Sequence, residues 1–171
     1  MPFLIITGEP GVGKTTVIMG LVEMLRNRGI SGGGIISREV RKDNVRIGFE
    51  FVNIRNNETA VLASLTGTGP RVGKYVVNLD GCIFAARVLE VAMQDAVVII
   101  CDELGPMEFK SKEFVDVVNR MLDLDKQFVV VVHKRLKHPV IDKVRQRADF
   151  MIEIDVQNRN KAPCLLLERL K

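Results

Sequence analysis

Phe3-Leu4-Ile5-Ile6-Thr7-Gly8-Glu9-Pro10-Gly11-Val12-Gly13-Lys14-Thr15-Thr16 decides the fold, because an apolar run of strand length meets a glycine-rich turn and then a helix. The helix spans Lys14 to Arg28, with Val17, Ile18, Leu21, Val22, Met24 and Leu25 at helical spacing and Gly29 as its stop. Residues 8 to 15 match Gly-x-x-x-x-Gly-Lys-Ser/Thr without a mismatch, and strand before with helix after is the setting that makes this pattern a phosphate-binding loop. Glycines let backbone N–H groups curl around phosphate oxygens, while the helix directs its positive end at them. Gly8, Glu9, Pro10, Gly11, Val12, Gly13, Lys14, Thr15 and Thr16 are the expected nucleotide-binding residues. Lys14 reaches the β- and γ-phosphates, and the Thr15 hydroxyl ligates Mg2+, the expected cofactor.

Outward from this unit, apolar runs of strand length alternate with amphipathic segments, which is an α/β pattern. Ile35 to Val40 and Val45 to Ile54 read as a hairpin across the polar turn Arg41-Lys42-Asp43-Asn44. Asn56 to Asn78 is less regular, holding Gly67-Thr68-Gly69-Pro70 and then Val72 to Val77, and a helix follows from about Asp80 to Gln94. Val97 to Cys101 has the continuous apolar character of a buried parallel strand and ends in Asp102-Glu103. Ser111 caps a helix carrying Phe114, Val115, Val117, Val118, Met121 and Leu122. Phe128 to Val132 is a second buried strand, ending in His133-Lys134. A helix at Pro139 to Gln146, a strand at Phe150 to Ile154 and a helix begun by Pro163 complete a mostly parallel sheet with an antiparallel hairpin insert. At 171 residues, one domain is expected.

Hydrophobic residues at 47% and charged residues at 27% exclude disorder and fibre. The longest apolar runs, Ala96 to Cys101 and Phe128 to Val132, are too short to cross a bilayer, and the N-terminus lacks the features of a signal peptide, so a cytoplasmic address is expected. Cys82, Cys101 and Cys164 sit in apolar segments and read as core filler; with only His133 and His138 besides, a zinc site lacks ligands. The net charge of +4 is compatible with nucleic acid or a small phosphorylated molecule and selects neither.

A phosphate loop needs an acid to position its metal, and Asp102 at a strand end fits that role. Glu103 beside it can polarise a water for in-line attack on the γ-phosphorus, with Glu108 as a rival or auxiliary base. His133 is either a polar sensor of the γ-phosphate or a hydrogen-bonded structural histidine. Arg71 and Arg135 are either transition-state cations or solvated surface. A guanine reader, Asn/Thr-Lys-x-Asp, is replaced by His133-Lys134-Arg135-Leu136, which argues for loose base discrimination. Asn158-Arg159, after the last strand, either flanks the base or only starts a helix.

The chain resembles the THEP-type, or cancer-related, nucleoside-triphosphatases over nearly its whole length. The likeness rests on Ile5 to Thr16, on Arg38-Glu39-Val40-Arg41 with Gly48-Phe49, on Arg71-Val72-Gly73-Lys74-Tyr75, and on Asp102-Glu103-Leu104-Gly105-Pro106-Met107-Glu108. Leu104 stands where many members have Ile. The resemblance implies a P-loop three-layer sandwich of the RecA and AAA type. It also implies magnesium-dependent hydrolysis of ATP, GTP, CTP, UTP and related nucleotides, with weaker action on diphosphates. Two other classes stay open: a nucleotide or polynucleotide kinase, whose lid would be the basic run Lys134 to Arg147, and a nucleic-acid-dependent ATPase. Aromatic residues are scarce, with 8 Phe, 1 Tyr and no Trp, so no stacking platform for a polymer is evident; nucleic acid is not expected to be required. No membrane partner is expected, and nothing in the sequence sets an oligomeric state.

Overall fold

A computed structural model describes residues Met1 to Lys171. The strands are β1 (Phe3–Gly8), β2 (Gly32–Lys42), β3 (Val45–Asn53), β4 (Thr59–Ser64), β5 (Arg71–Val72), β6 (Tyr75–Val77), β7 (Val98–Leu104), β8 (Gln127–Val132) and β9 (Phe150–Ile154). The helices are α1 (Lys14–Asn27), α2 (Leu79–Asp95), α3 (Lys112–Asp123), α4 (Pro139–Arg147) and α5 (Ala162–Leu167), with one 3-10 turn at Glu108–Lys110. All strands join one sheet in the order β5-β6-β4-β3-β2-β7-β8-β1-β9.

Alternate side chains of the central strands enter two separate cores. Phe3, Ile5, Ile99, Cys101, Phe128 and Val130 pack on one face with residues of α2, α3 and α4. Leu4, Ile6, Val98, Ile100, Val129 and Val131 pack on the other with residues of α1 and α5. This two-sided burial is why the strands read as unbroken apolar runs and not as alternating ones. Phe3 and Phe128 are paired in the β1–β8 register and their rings lie 5.3 Å apart.

Helix starts follow from short polar side chains. Asn78 accepts from the Gly81 N–H at 3.0 Å and Ser111 from the Phe114 N–H at 3.3 Å. At α4 the cap is His138, whose Nδ1 accepts from the Val140 N–H at 3.1 Å ahead of Pro139 in the first turn.

Three expectations are corrected. The sheet is mixed: β9, β1, β8, β7 and β2 run parallel, but β3, β4, β6 and β5 add antiparallel pairings. The insert is thus larger than a hairpin, because the irregular segment after Asn56 supplies three more strands. β5 and β6 have two and three residues, too few to show a period, and in β4 only Leu62 and Ala63 are buried. Cys164 is the second correction: it is exposed on α5, whereas Cys82 and Cys101 are buried. β7 also continues through Asp102 and Glu103 instead of stopping before them. No helix is long and apolar enough to cross a membrane.

Gly34 shows how closely β2 lies on β7. It pairs with Ile100, has φ +126°, and a Cβ there would collide with the Ile100 carbonyl oxygen. Gly34→Ala should therefore destabilise the protein by about 2–3 kcal/mol and lower the thermal midpoint by roughly 5–10 °C. A midpoint within a degree or so of the parent would show that the β2–β7 contact relaxes freely.

Candidate active site

Parallel strands carry their following loops to one edge of the sheet. Because β8 pairs with both β1 and β7, the Gly8–Thr15 loop, His133 and the Asp102-Glu103 pair share that edge. The Lys14 ammonium donates to the carbonyls of Gly8 at 2.8 Å and Glu9 at 3.0 Å. The Thr15 hydroxyl donates to Asp102 Oδ2 at 2.6 Å, joining residues far apart in sequence. A hydroxyl and a carboxylate side by side form a hard-oxygen donor pair, which suits a magnesium ion completed by phosphate oxygens and water.

Burial pushes the Asp102 carboxyl up to about 7, against the Thr15 hydrogen bond, which favours its charged form. Glu103 and Glu108 converge above Gly105, where a Cβ would lie 2.8 Å from Glu108 Oε2 and 3.0 Å from Glu103 Oε1. A side chain there would have to displace those oxygens, so the glycine leaves the two carboxylates their present positions. Glu108 is 3% exposed, and burial followed by the Glu103 charge lifts its carboxyl well above the ordinary 4.5. Burial also raises Glu103, but Lys14 and His133 draw it back toward the charged form. Two close carboxylates resist ionising together, so the proton stays on Glu108 and Glu103 is the ionised member.

Around this centre runs a charged rim. Glu9 pairs with Lys134 at 3.1 Å and Arg135 at 3.3 Å, and Lys134 also reaches Glu153 at 2.5 Å. The Lys134 hydrogen bond, with the charges of both cations, holds the Glu9 carboxyl below its usual range. The His133 backbone N–H donates to the Leu104 carbonyl at 3.0 Å, and its ring Nδ1 accepts from the Arg135 backbone N–H at 3.2 Å, which fixes the ring beside the carboxylates.

A family model described as NTPase matches residues 3–167. The chain belongs to that NTPase family. It is 38% identical to the nucleoside-triphosphatase THEP1 of Methanopyrus kandleri, over 98% of this chain and 94% of that protein. It is 40% identical to the nucleoside-triphosphatase THEP1 of Thermotoga sp. strain RQ2, over 98% and 95%. The crystal structure of THEP1 from Aquifex aeolicus superposes with a TM-score of 0.85 at 32% identity, covering 98% of each chain. The solution structure of a human cancer-related nucleoside triphosphatase superposes at 0.84 and 28% identity, covering 100% of this chain and 98% of that one. The resemblance read from the sequence is borne out, and the chain is a nucleoside-triphosphatase.

Within this nucleoside-triphosphatase, Lys14, Thr15, Asp102, Glu103, Glu108 and His133 stand at the shared edge. Arg71 does not: β5 is the sheet edge, separated from β7 by four strands. Arg135 does stand there, tied to Glu9. The Asn158 amide is committed to its own turn, accepting from the Asp155 N–H at 2.9 Å and donating to the Glu153 carbonyl at 2.8 Å. Its neighbour Arg159 lies on the loop, donating to the Val12 carbonyl at 3.3 Å. Lys134 as a bridge between Glu9 and Glu153 carries no local sequence signal, because it joins elements distant in the chain, whereas Gly105 beneath two carboxylates lies within the Asp102 to Glu108 segment.

The carboxylate pair makes a prediction about pH. The folded state holds a proton on Glu108 that the unfolded chain releases, so this group's stabilising effect is full below its ordinary 4.5 and is lost as pH rises toward its higher folded value. Glu108→Gln, neutral at every pH, should raise the thermal midpoint at about pH 8 and change it little near pH 4.5. A lower midpoint at the alkaline end would mean that Glu108 is charged in the folded protein.

Proposed function

We propose that the chain hydrolyses nucleoside 5'-triphosphates, ATP, GTP, CTP and UTP alike, to the diphosphate and phosphate with Mg2+. The observation that carries this reading is the Thr15–Asp102 contact, which joins the loop hydroxyl and the strand-end carboxylate as the reading of the metal site requires. Thr15 and Asp102 would hold the ion, and a bound magnesium ion would neutralise charge on the β- and γ-phosphate oxygens. Backbone N–H groups from Gly8 to Thr15 cradle the phosphates, and Lys14 exchanges its carbonyl partners for the β- and γ-oxygens. Glu103 orients a water and takes its proton as the water oxygen bonds the γ-phosphorus. The bond to the β–γ bridging oxygen breaks, and its electron pair leaves with the diphosphate. Glu108 keeps its proton and faces Glu103, acting on the base and not on the water.

The basic run offers little support for a kinase lid or a polymer sensor. Lys134 and Arg135 are tied to Glu9, Arg147 lies 3.4 Å from Asp149, and Val140, Ile141 and Val144 are buried. The run reads as an anchored helix with a solvated basic face. Hydrolysis without nucleic acid, by the chain alone, is the reading it supports.

Lys14→Ala should abolish turnover of every triphosphate. Glu103→Gln should still bind magnesium-nucleotide in an equilibrium assay but lose about 10²-fold or more in kcat. If Glu108→Gln is the slower of the two, the base is Glu108.

Competition among ATP, GTP, CTP and UTP should give kcat/KM values within roughly two orders of magnitude. Adding single-stranded DNA, duplex DNA or RNA at near-physiological salt should change turnover less than about threefold, since weak electrostatic binding is screened. Stimulation of about ten-fold or more, lost on neutralising the basic run, would point to a nucleic-acid-dependent motor.

A further inference from the structure

The order of the strands gives the bound triphosphate a direction. Asp102 and Glu103 on β7, with His133 after β8, mark the γ-phosphate end of the proposed site. The Gly8–Thr15 loop follows β1, and β9 lies on the far side of β1 from β8. A triphosphate laid across the end of β1 with its γ-phosphate over β7 and β8 therefore directs its nucleoside toward the turn after β9.

That turn is built to hold one side chain over the loop. Asp155 Oδ1 accepts from the N–H groups of Gln157 and Asn158, each at 2.8 Å, and the Arg159 N–H donates to the Asp155 carbonyl at 3.1 Å. With the Asn158 amide fixed at both ends, the turn is braced before any ligand arrives. Arg159 leaves it toward the loop: its Cδ lies 3.7 Å from where a Gly13 Cβ would stand, and its sole side-chain hydrogen bond is the one to the Val12 carbonyl. Unlike Lys134 and Arg135, it has no carboxylate partner, and it is exposed to solvent. Val156, three residues earlier in the turn, is 69% exposed, the highest value among the large apolar side chains left in solvent.

We infer that Arg159 is the base platform of this enzyme, its guanidinium plane stacking on the nucleobase of whichever triphosphate occupies the loop. The inference rests on the hydrolytic reading above. A guanidinium is planar, permanently charged and weakly hydrated, so it stacks on a ring without needing a particular pattern of donors and acceptors. Every base has a π-face, so such a contact adds affinity without selecting among bases. The Asn158 amide, which could have read a base edge, is already committed to the turn.

The experiment compares the parent, Arg159→Ala and Arg159→Lys with ATP, GTP, CTP and UTP, using inorganic tripolyphosphate as a competitive inhibitor that lacks a nucleoside. For Arg159→Ala, KM should rise about tenfold for all four nucleotides, by factors similar to one another, with kcat within about twofold. The tripolyphosphate inhibition constant should stay at its parental value. Arg159→Lys keeps the charge but loses the plane and should recover only a minor part of the loss. Equal weakening of tripolyphosphate, or full recovery by lysine, would assign Arg159 to a phosphate and overturn the platform. An unchanged KM, or a loss confined to one base, would overturn it as well. Failure of the hydrolytic reading is seen separately, as undiminished turnover by Lys14→Ala.

Discussion

Hydrogen bonding of β8 to β1 on one side and to β7 on the other is the constraint from which the site follows. These strands are buried on both faces, so a shift by one residue would exchange the contents of two cores, carrying Phe128 and Val130 toward α1 and Val129 and Val131 toward α3. That cost fixes the register, and the register fixes which residues emerge together at the carboxyl edge. The Thr15–Asp102 hydrogen bond is a product of the same pairing, because Thr15 opens the helix that follows β1 and its loop, and Asp102 lies on β7.

The edge gathers acids as well as cations. Asp102 and Glu108 are buried, and Glu103 lies against Glu108 with only Gly105 beneath them. A buried carboxylate without a cation is costly in its charged form, so the arrangement is tolerable only with a proton retained or a cation brought in. On the proposed mechanism, the substrate complex brings that cation to Asp102. The structure thus concentrates its electrostatic strain where the chemistry is assigned, while the rim formed by Glu9, Lys134, Arg135 and Glu153 is neutralised internally.

Much of this was legible from residue order. The strand, loop and helix from Phe3 to Asn27, the β2–β3 hairpin, the cap at Ser111, the proline in the first turn of α5, and β9 at Phe150–Ile154 all carry local signals of period, turn or cap. His133 ends β8, which lies between the loop strand and the Asp102 strand, an order in keeping with the few open to buried parallel strands. The antiparallel extension was not legible: β5 and β6 are shorter than a pattern, and their existence depends on β4 to pair with. Exposure of Cys164 escaped too, because apolar neighbours on a six-residue helix do not reveal which side faces out. At the site, residue types pointed to Asp102, Glu103 and Glu108. Which of the two glutamates keeps a proton depends on depth and mutual distance, quantities a sequence does not carry.

The two hydrogen bonds from the Lys14 ammonium to the Gly8 and Glu9 carbonyls give the loop its shape before any anion arrives. Those carbonyls would otherwise compete with phosphate oxygens for the loop's own donors or splay toward water. Held by the lysine, the loop is preorganised, and its conformational entropy is lost during folding and not at binding. On the proposed mechanism, arrival of a polyphosphate becomes an exchange of partners by one flexible four-carbon arm. On the same mechanism, release of the product reverses that exchange without unravelling the loop, so each cycle returns the site to the same starting geometry.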